Sequence, residues 1–280
     1  MNTAFPSRST RVVSGVLWLL WLGCLATGFL PNGWRWNGFS PLHPWLVSSV
    51  VLVAAGWWHC LRSSSHAGRW FAGLVAAGMT CGCGGDCSSL LAGKVSEIAR
   101  LLLVMGLFGL GHVGYISACF VAQRSLKLRL TPLWFATVAF WLAVGVATWA
   151  FIVAPTSRPL DIRLAGLGYT LFLASCAGCM WGLATLNRRF FWMALGAALF
   201  LASDAVLAAE IYRGGTSFLT NLSWVCEGLD FSGIIGGSRL CWIAYGPGQM
   251  LLVFGAASGL HAFERQQSTP PQTNLPQKTA

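Results

Sequence analysis

Hydrophobic positions in this chain come in long unbroken blocks, not in an alternating pattern. Apolar runs cover about 12–30, 44–62, 69–92, 101–123, 132–154, 164–187, 190–211 and 240–263. A helix needs roughly 20 apolar residues to cross the ~30 Å hydrocarbon core of a bilayer. Along such a run only a helix satisfies its own backbone hydrogen bonds. The pattern therefore predicts an all-α fold, a polytopic transmembrane bundle of about eight helices. Pro132 opens the fifth run and Pro155 follows it, both positions that helix ends tolerate. The first run exceeds a usual signal-peptide core, and more runs follow, so it reads as a retained helix. The domain plan is then a polar amino-terminal segment, 1–11, and one transmembrane domain, 12–263, with a long outer loop at 212–239. A disordered tail at 264–280, which carries Pro270 and Pro271, completes it.

Composition agrees with this pattern. The chain is 55% hydrophobic and 9% charged, whereas a soluble domain carries about 25% charged residues. A soluble core of this size would need a charged shell that the sequence does not supply. The net charge of +10 does not indicate nucleic acid. The basic residues stand singly or in pairs at the ends of apolar runs, as helix flanks facing lipid headgroups do. With the amino terminus inside, eleven of the 18 Lys and Arg fall on the inner side, so both termini are expected in the cytoplasm. The expected location is a membrane, crossed many times, and the cytoplasmic (inner) membrane if the chain is bacterial. Trp34, Trp36, Trp57, Trp58, Trp70, Trp224 and Trp242 stand near run ends, where aromatic belts form. Cys226 and Cys241 both fall on the outer side, and two readings stand: a disulfide, or two thiols.

Two acids interrupt the apolar runs. Asp86 lies in Gly82-Cys83-Gly84-Gly85-Asp86-Cys87-Ser88-Ser89, and Asp204 in Leu201-Ala202-Ser203-Asp204-Ala205. A carboxylate in a bilayer costs several kcal/mol unless it faces protein or a wet cavity. At ~1.5 Å rise per residue, Asp86, about six residues below the outer end of the third run, and Asp204 reach similar depths. Tyr169, Tyr245 and Gln249 fall near the same level, and His112 lies somewhat deeper with Tyr115 a turn beyond it. Phe108, His112 and Tyr115 share one helix face, and Tyr245 and Gln249 share another. These residues are expected around one intramembrane pocket. The structural alternatives are interhelical hydrogen bonds for the aspartates and a packed ring for His112. Ser203 either orients Asp204 or bonds back to its own helix. The glycines at 82, 84 and 85 and at 106, 109, 111 and 114 suit close helix approach. No strand precedes them, so they do not read as a nucleotide loop.

Gly85-Asp86, the segment from Phe108 to Tyr115 through Gly109-Leu110-Gly111-His112, the segment from Phe200 to Ala208, and Tyr245-Gly246-Pro247-Gly248-Gln249 resemble the YhhN-like family of eight-helix membrane proteins. Tyr169, with Met180 and Ala184, adds to the likeness, which runs from about 70 to 256. That family includes the lysoplasmalogenases. The resemblance implies hydrolysis of the vinyl ether bond of a lysoplasmalogen to a fatty aldehyde and a glycerophospho-alcohol. Such an ether becomes reactive only when its β-carbon is protonated, so the chemistry needs an acid, a partner for the cation and a base for water. Two carboxyls in different surroundings can divide these roles. On this reading Asp86 and Asp204 are the catalytic pair, in either assignment. His112, Tyr115, Tyr169, Ser203, Tyr245 and Gln249 position substrate or orient the acids. The partners are a lysophospholipid and membrane lipids, with no cofactor, no metal and no nucleic acid. Two other readings stand beside it. One is a metal-dependent intramembrane hydrolase with Asp86, His112 and Asp204 as ligands. The other is a proton-coupled transporter or lipid-binding protein, since an aspartate followed by a Tyr-containing polar motif occurs in two places.

Overall fold

A computed structural model describes residues 8–29, 42–91, 94–213 and 237–268. Among these residues the regular structure is entirely helical. The helices are α1 (Arg8–Thr27), α2 (Leu42–Arg62), α3 (His66–Cys87), α4 (Glu97–Ser125), α5 (Pro132–Thr148), α6 (Leu160–Leu186), α7 (Phe191–Arg213) and α8 (Gly237–Ser268). Short helical turns extend α3 over Ser88–Leu91 and α5 over Trp149–Val153, and Arg188–Phe190 leads into α7. Each predicted run becomes one helix. Among the described residues five stretches are long and apolar enough to cross a membrane: Pro44–Arg62, Glu97–Ser125, Pro132–Val153, Leu160–Leu186 and Arg188–Ala209.

Local signals fix where helices begin. The Ser65, Ser96 and Thr131 hydroxyls accept from the backbone N–H of Gly68, Ala99 and Trp134, at 2.8, 3.2 and 3.3 Å. Pro132 stands at the first position of α5. Each such cap contributes ~1 kcal/mol. Capping also explains where the helices exceed the apolar runs. α4 starts at Glu97, behind Ser96, and not at 101. α8 continues through Glu264-Arg265-Gln266-Gln267, good helix formers, to Ser268. That shortens the expected tail, and its remainder, 269–280, lies outside the described residues. So do 1–7 and 214–236, which hold most of the expected amino-terminal segment and of the 212–239 loop.

The outer surface is apolar. Pro132–Val153 has a mean hydropathy of 2.0, yet Gly145 is the one residue buried along α5, and Phe140 is 60% exposed. A surface of that kind needs an apolar surround, and the chain is a membrane protein. Inside the bundle, α3 packs against α2, α4 and α8, while α7 packs against α6 and α8. Two pairs approach at glycine seams. A Cβ on Gly111 of α4 would stand 2.9 Å from the Gly78 carbonyl oxygen of α3, and a Cβ on Gly78 would stand 2.8 Å from that of Gly111. Gly196 of α7 and Gly248 of α8 meet in the same way, at 2.7 and 3.1 Å. Without side chains on either side, backbones touch directly and dispersion holds the pair. Phe71, Phe190 and Phe263 tie α3, the turn that leads into α7, and α8 together, with ring centroids 5.7 and 5.4 Å from Phe71. Trp242, expected at an aromatic belt, is buried and stacks on Trp45 at 5.2 Å.

Candidate functional site

Asp86 is the next-to-last residue of α3, which stops at Cys87 and not at 92. Gly84-Gly85 weakens the helix there, and the Ser88 hydroxyl donates back to the Gly85 carbonyl at 2.6 Å. Gly85 lets this end of α3 lie flat on α4, since a Cβ would be 2.7 Å from the Phe108 ring. The aspartate therefore stands in the last turn of α3, and its carboxylate reaches between neighbouring helices.

Three donors among the described residues converge on it. Ser49 Oγ of α2 donates to Asp86 Oδ2 at 2.6 Å, Gln249 Nε2 of α8 donates to the same oxygen at 3.3 Å, and Tyr245 OH of α8 donates to Oδ1 at 2.7 Å. Gln249 is fully buried, and its Oε1 lies 3.2 Å from Ser49 Oγ. Asp204, on α7, is served differently. Tyr169 OH of α6 donates to its Oδ2. Ser203 Oγ lies 3.4 Å from Oδ1 but donates to the Phe200 carbonyl at 2.7 Å. A hydroxyl has one proton to give, so Ser203 mainly bonds back to its own helix.

The two acids line one cavity of about 260 Å³. Tyr169 and Tyr245 stand on its wall beside the acids they bond, and Phe108 lines it too, 6.1 Å from Tyr245. Leu101, Val104, Met105 and Leu207 form its apolar length, and Glu97 and Arg100 of α4 stand at its far end. Behind this wall Phe200 stands edge-on to Tyr245 at 4.9 Å and to Phe108 at 5.9 Å. Two carboxyls with separate sets of hydroxyl donors, opening on a common apolar space, can hold one proton and accept another.

The remaining expected site residues divide. Gln249 does not line the cavity but holds Asp86 from behind. His112 is buried and packs its ring against Tyr169 at 6.0 Å and Phe200 at 5.3 Å. Neither of its ring nitrogens has a hydrogen-bond partner among the described residues. Tyr115, expected near the acids, directs its hydroxyl to Met79 Sδ at 3.8 Å. It lies a turn too deep to reach a carboxylate. Cys241 is buried and lines the cavity, while Cys226 lies outside the described residues. Among the described residues no three His, Cys, Asp or Glu side chains form a group that could hold a metal ion. The helices that carry the acids run without a break along the seam and up to or past each carboxylate.

Two residues escaped the sequence reading. Ser49 makes the shortest hydrogen bond to Asp86 of the three, and its signal was only the polar pair Ser48-Ser49 inside an apolar run. By its place just ahead of the fourth apolar run Arg100 reads as an outer loop charge, yet it lines the cavity.

With this geometry in place, comparison with known proteins adds one finding. The model of the YhhN family matches residues 43–256. No curated protein and no solved structure matches the chain.

Proposed function

The chain belongs to the YhhN family, and from that premise we propose that it hydrolyses the vinyl ether bond of lysoplasmalogens by acid–base chemistry between Asp204 and Asp86. The observation that carries the reading is the pair of carboxyls, each with its own donors, on the wall of one cavity. The unequal donor sets support a division of roles. Asp86, with three donors, is the ionised partner, because hydrogen bonds to a carboxylate favour the charged form. Asp204 is the acid. Its Oδ1 competes with the Phe200 carbonyl for the one proton of Ser203, and this is the oxygen that carries the transferable proton.

Asp204 gives its proton to the β-carbon of the ether, and the double bond becomes an oxocarbenium ion. The Asp86 carboxylate stabilises that cation and then takes a proton from the water that adds to it. The product is a hemiacetal. Its collapse returns the Asp86 proton to the leaving glycerol oxygen and the hemiacetal hydroxyl proton to Asp204. One water is consumed, an aldehyde and a glycerophospho-alcohol leave, and both acids regain their starting states. Tyr245 and Tyr169 hold the two carboxyls in place, and the apolar walls keep bulk water from competing.

Purified protein assayed on choline and ethanolamine lysoplasmalogens should release aldehyde, and Asp86→Asn and Asp204→Asn should each lower kcat by about 10³-fold or more, since each removes a group the transition state requires. Absence of aldehyde from the wild type sinks the hydrolase reading. Full activity in both variants sinks the assignment of roles.

A further inference from the structure

The far end of the cavity holds a charge that the proposed chemistry does not use. Arg100 lies on the first turn of α4, half-buried, and lines the cavity with Glu97. Its side chain makes no hydrogen bond or ion pair with any described residue. The acid nearest in sequence, Glu97, is engaged elsewhere, with Arg158 ahead of α6, at 3.5 Å. A guanidinium presents five donors in a fork that fits a phosphate. Here that fork stands at the end of an apolar channel whose other end is the acid pair.

We propose that Arg100 is the anchor for the phosphate of a lysophospholipid substrate, and that it sets the depth at which the ether bond meets the acids. The inference rests on the hydrolase reading above and adds to it a headgroup subsite. Spacing supports it. Phe108, beside Gly85, marks the level of Asp86 on α4. Arg100 precedes it by eight residues, or roughly 12 Å of helix at ~1.5 Å per residue. In a lysoplasmalogen seven bonds separate phosphorus from the outer vinyl carbon. An extended chain advances about 1.2 Å per bond, so that span is ~8 Å. A charge-assisted contact of about 2.8 Å to a phosphate oxygen takes up most of the difference. A lipid held at Arg100 thus extends its vinyl ether towards the level of Asp86. An ether lipid without the phosphate enters the same channel with nothing to fix its depth.

The test uses the full chain in detergent micelles and ligands that cannot be cleaved. Binding of a radiolabelled 1-O-alkyl-glycero-3-phosphoethanolamine is compared with that of the 1-O-alkylglycerol of equal chain length. The wild type should bind the phosphate-bearing lipid about 10- to 100-fold more tightly, the range of one charge-assisted contact. Arg100→Gln should shrink that preference to about threefold or less and leave alkylglycerol binding unchanged. Arg100→Lys should keep part of it, because a point charge replaces the fork. An undiminished preference in Arg100→Gln overturns the proposal. An equal loss for both ligands overturns it too, since Arg100 would then be structural. Millimolar inorganic phosphate should not displace the lipid; displacement that depends on Arg100 would reassign the site to free phosphate. Because the ligands are inert, failure of the hydrolase reading shows separately, as missing aldehyde with phosphate-selective binding intact.

Discussion

Replacing Tyr245 by Phe removes one oxygen and leaves the ring. The ring's contacts are extensive: Phe200 at 4.9 Å, Trp242 at 4.9 Å and Phe108 at 6.1 Å, each near edge-on. What is lost is the 2.7 Å hydrogen bond to Asp86 Oδ1. A hydrogen bond to a charged group contributes about 1.5–3 kcal/mol. Asp86 keeps Ser49 at 2.6 Å and Gln249 at 3.3 Å, both on its other oxygen, so the lower half of that range applies. At 1.36 kcal/mol per factor of ten, kcat should fall about 10- to 50-fold. The charge that Asp86 balances exists only once the ether is protonated, so the loss belongs in kcat, and KM should stay within about twofold. The assay is aldehyde release from an ethanolamine lysoplasmalogen in micelles, with thermal unfolding as the check on folding. A folded Tyr245→Phe protein with unchanged kcat would refute the role given to Asp86. A loss as large as that of Asp86→Asn would also refute it, because one donor of three cannot equal the whole charge.

Further predictions concern the frame. Gly196→Ala puts a methyl 2.7 Å from the Gly248 carbonyl and should destabilise the protein by about 1–3 kcal/mol in an unfolding titration, as overpacking does; an unchanged midpoint would mean that α7 and α8 separate freely. His112→Leu should leave stability unchanged or higher, because two buried nitrogens without partners disappear. A loss above ~2 kcal/mol would mean that the ring is hydrogen-bonded in the folded protein.

Much of this architecture is legible in the hydrophobic pattern. Block length fixes the number of helices, and rise per residue places Asp86, Asp204, Tyr169 and Tyr245 at one level. Periodicity assigns a face but not a reach. Tyr115 shares a face with Phe108, yet its hydroxyl ends on Met79. Ser49 shows the opposite limit. A serine in an apolar helix has no signature of its own, and only the approach of α2 to α3 makes it a ligand of the acid. The end of α3 was set by Ser88 bonding to Gly85, a contact of a few atoms that hydropathy does not weigh. Arg100 was misread because charge at a run's end marks a membrane boundary, whether the side chain turns outward or into a cavity.

The glycine seams have one more consequence. Asp86 stands eight residues after Gly78, and Asp204 stands eight residues after Gly196. On the facing helices Phe108 and Tyr245 each precede their seam glycine by three, and His112 and Gln249 each follow theirs by one. The helix before each acid also lends it a hydroxyl, Ser49 in one case and Tyr169 in the other. α1–α4 and α5–α8 are thus laid out on one ruler, and the two carboxyls occupy matching marks on it. Their inequality comes from what faces them across the halves. The second half offers Asp86 a tyrosine hydroxyl and an amide; at the matching marks the first half has a bare phenyl ring and an imidazole with no hydrogen-bond partner among the described residues. Position makes the acids twins, and in the proposed mechanism the two differing residues at equivalent marks set the direction of the proton.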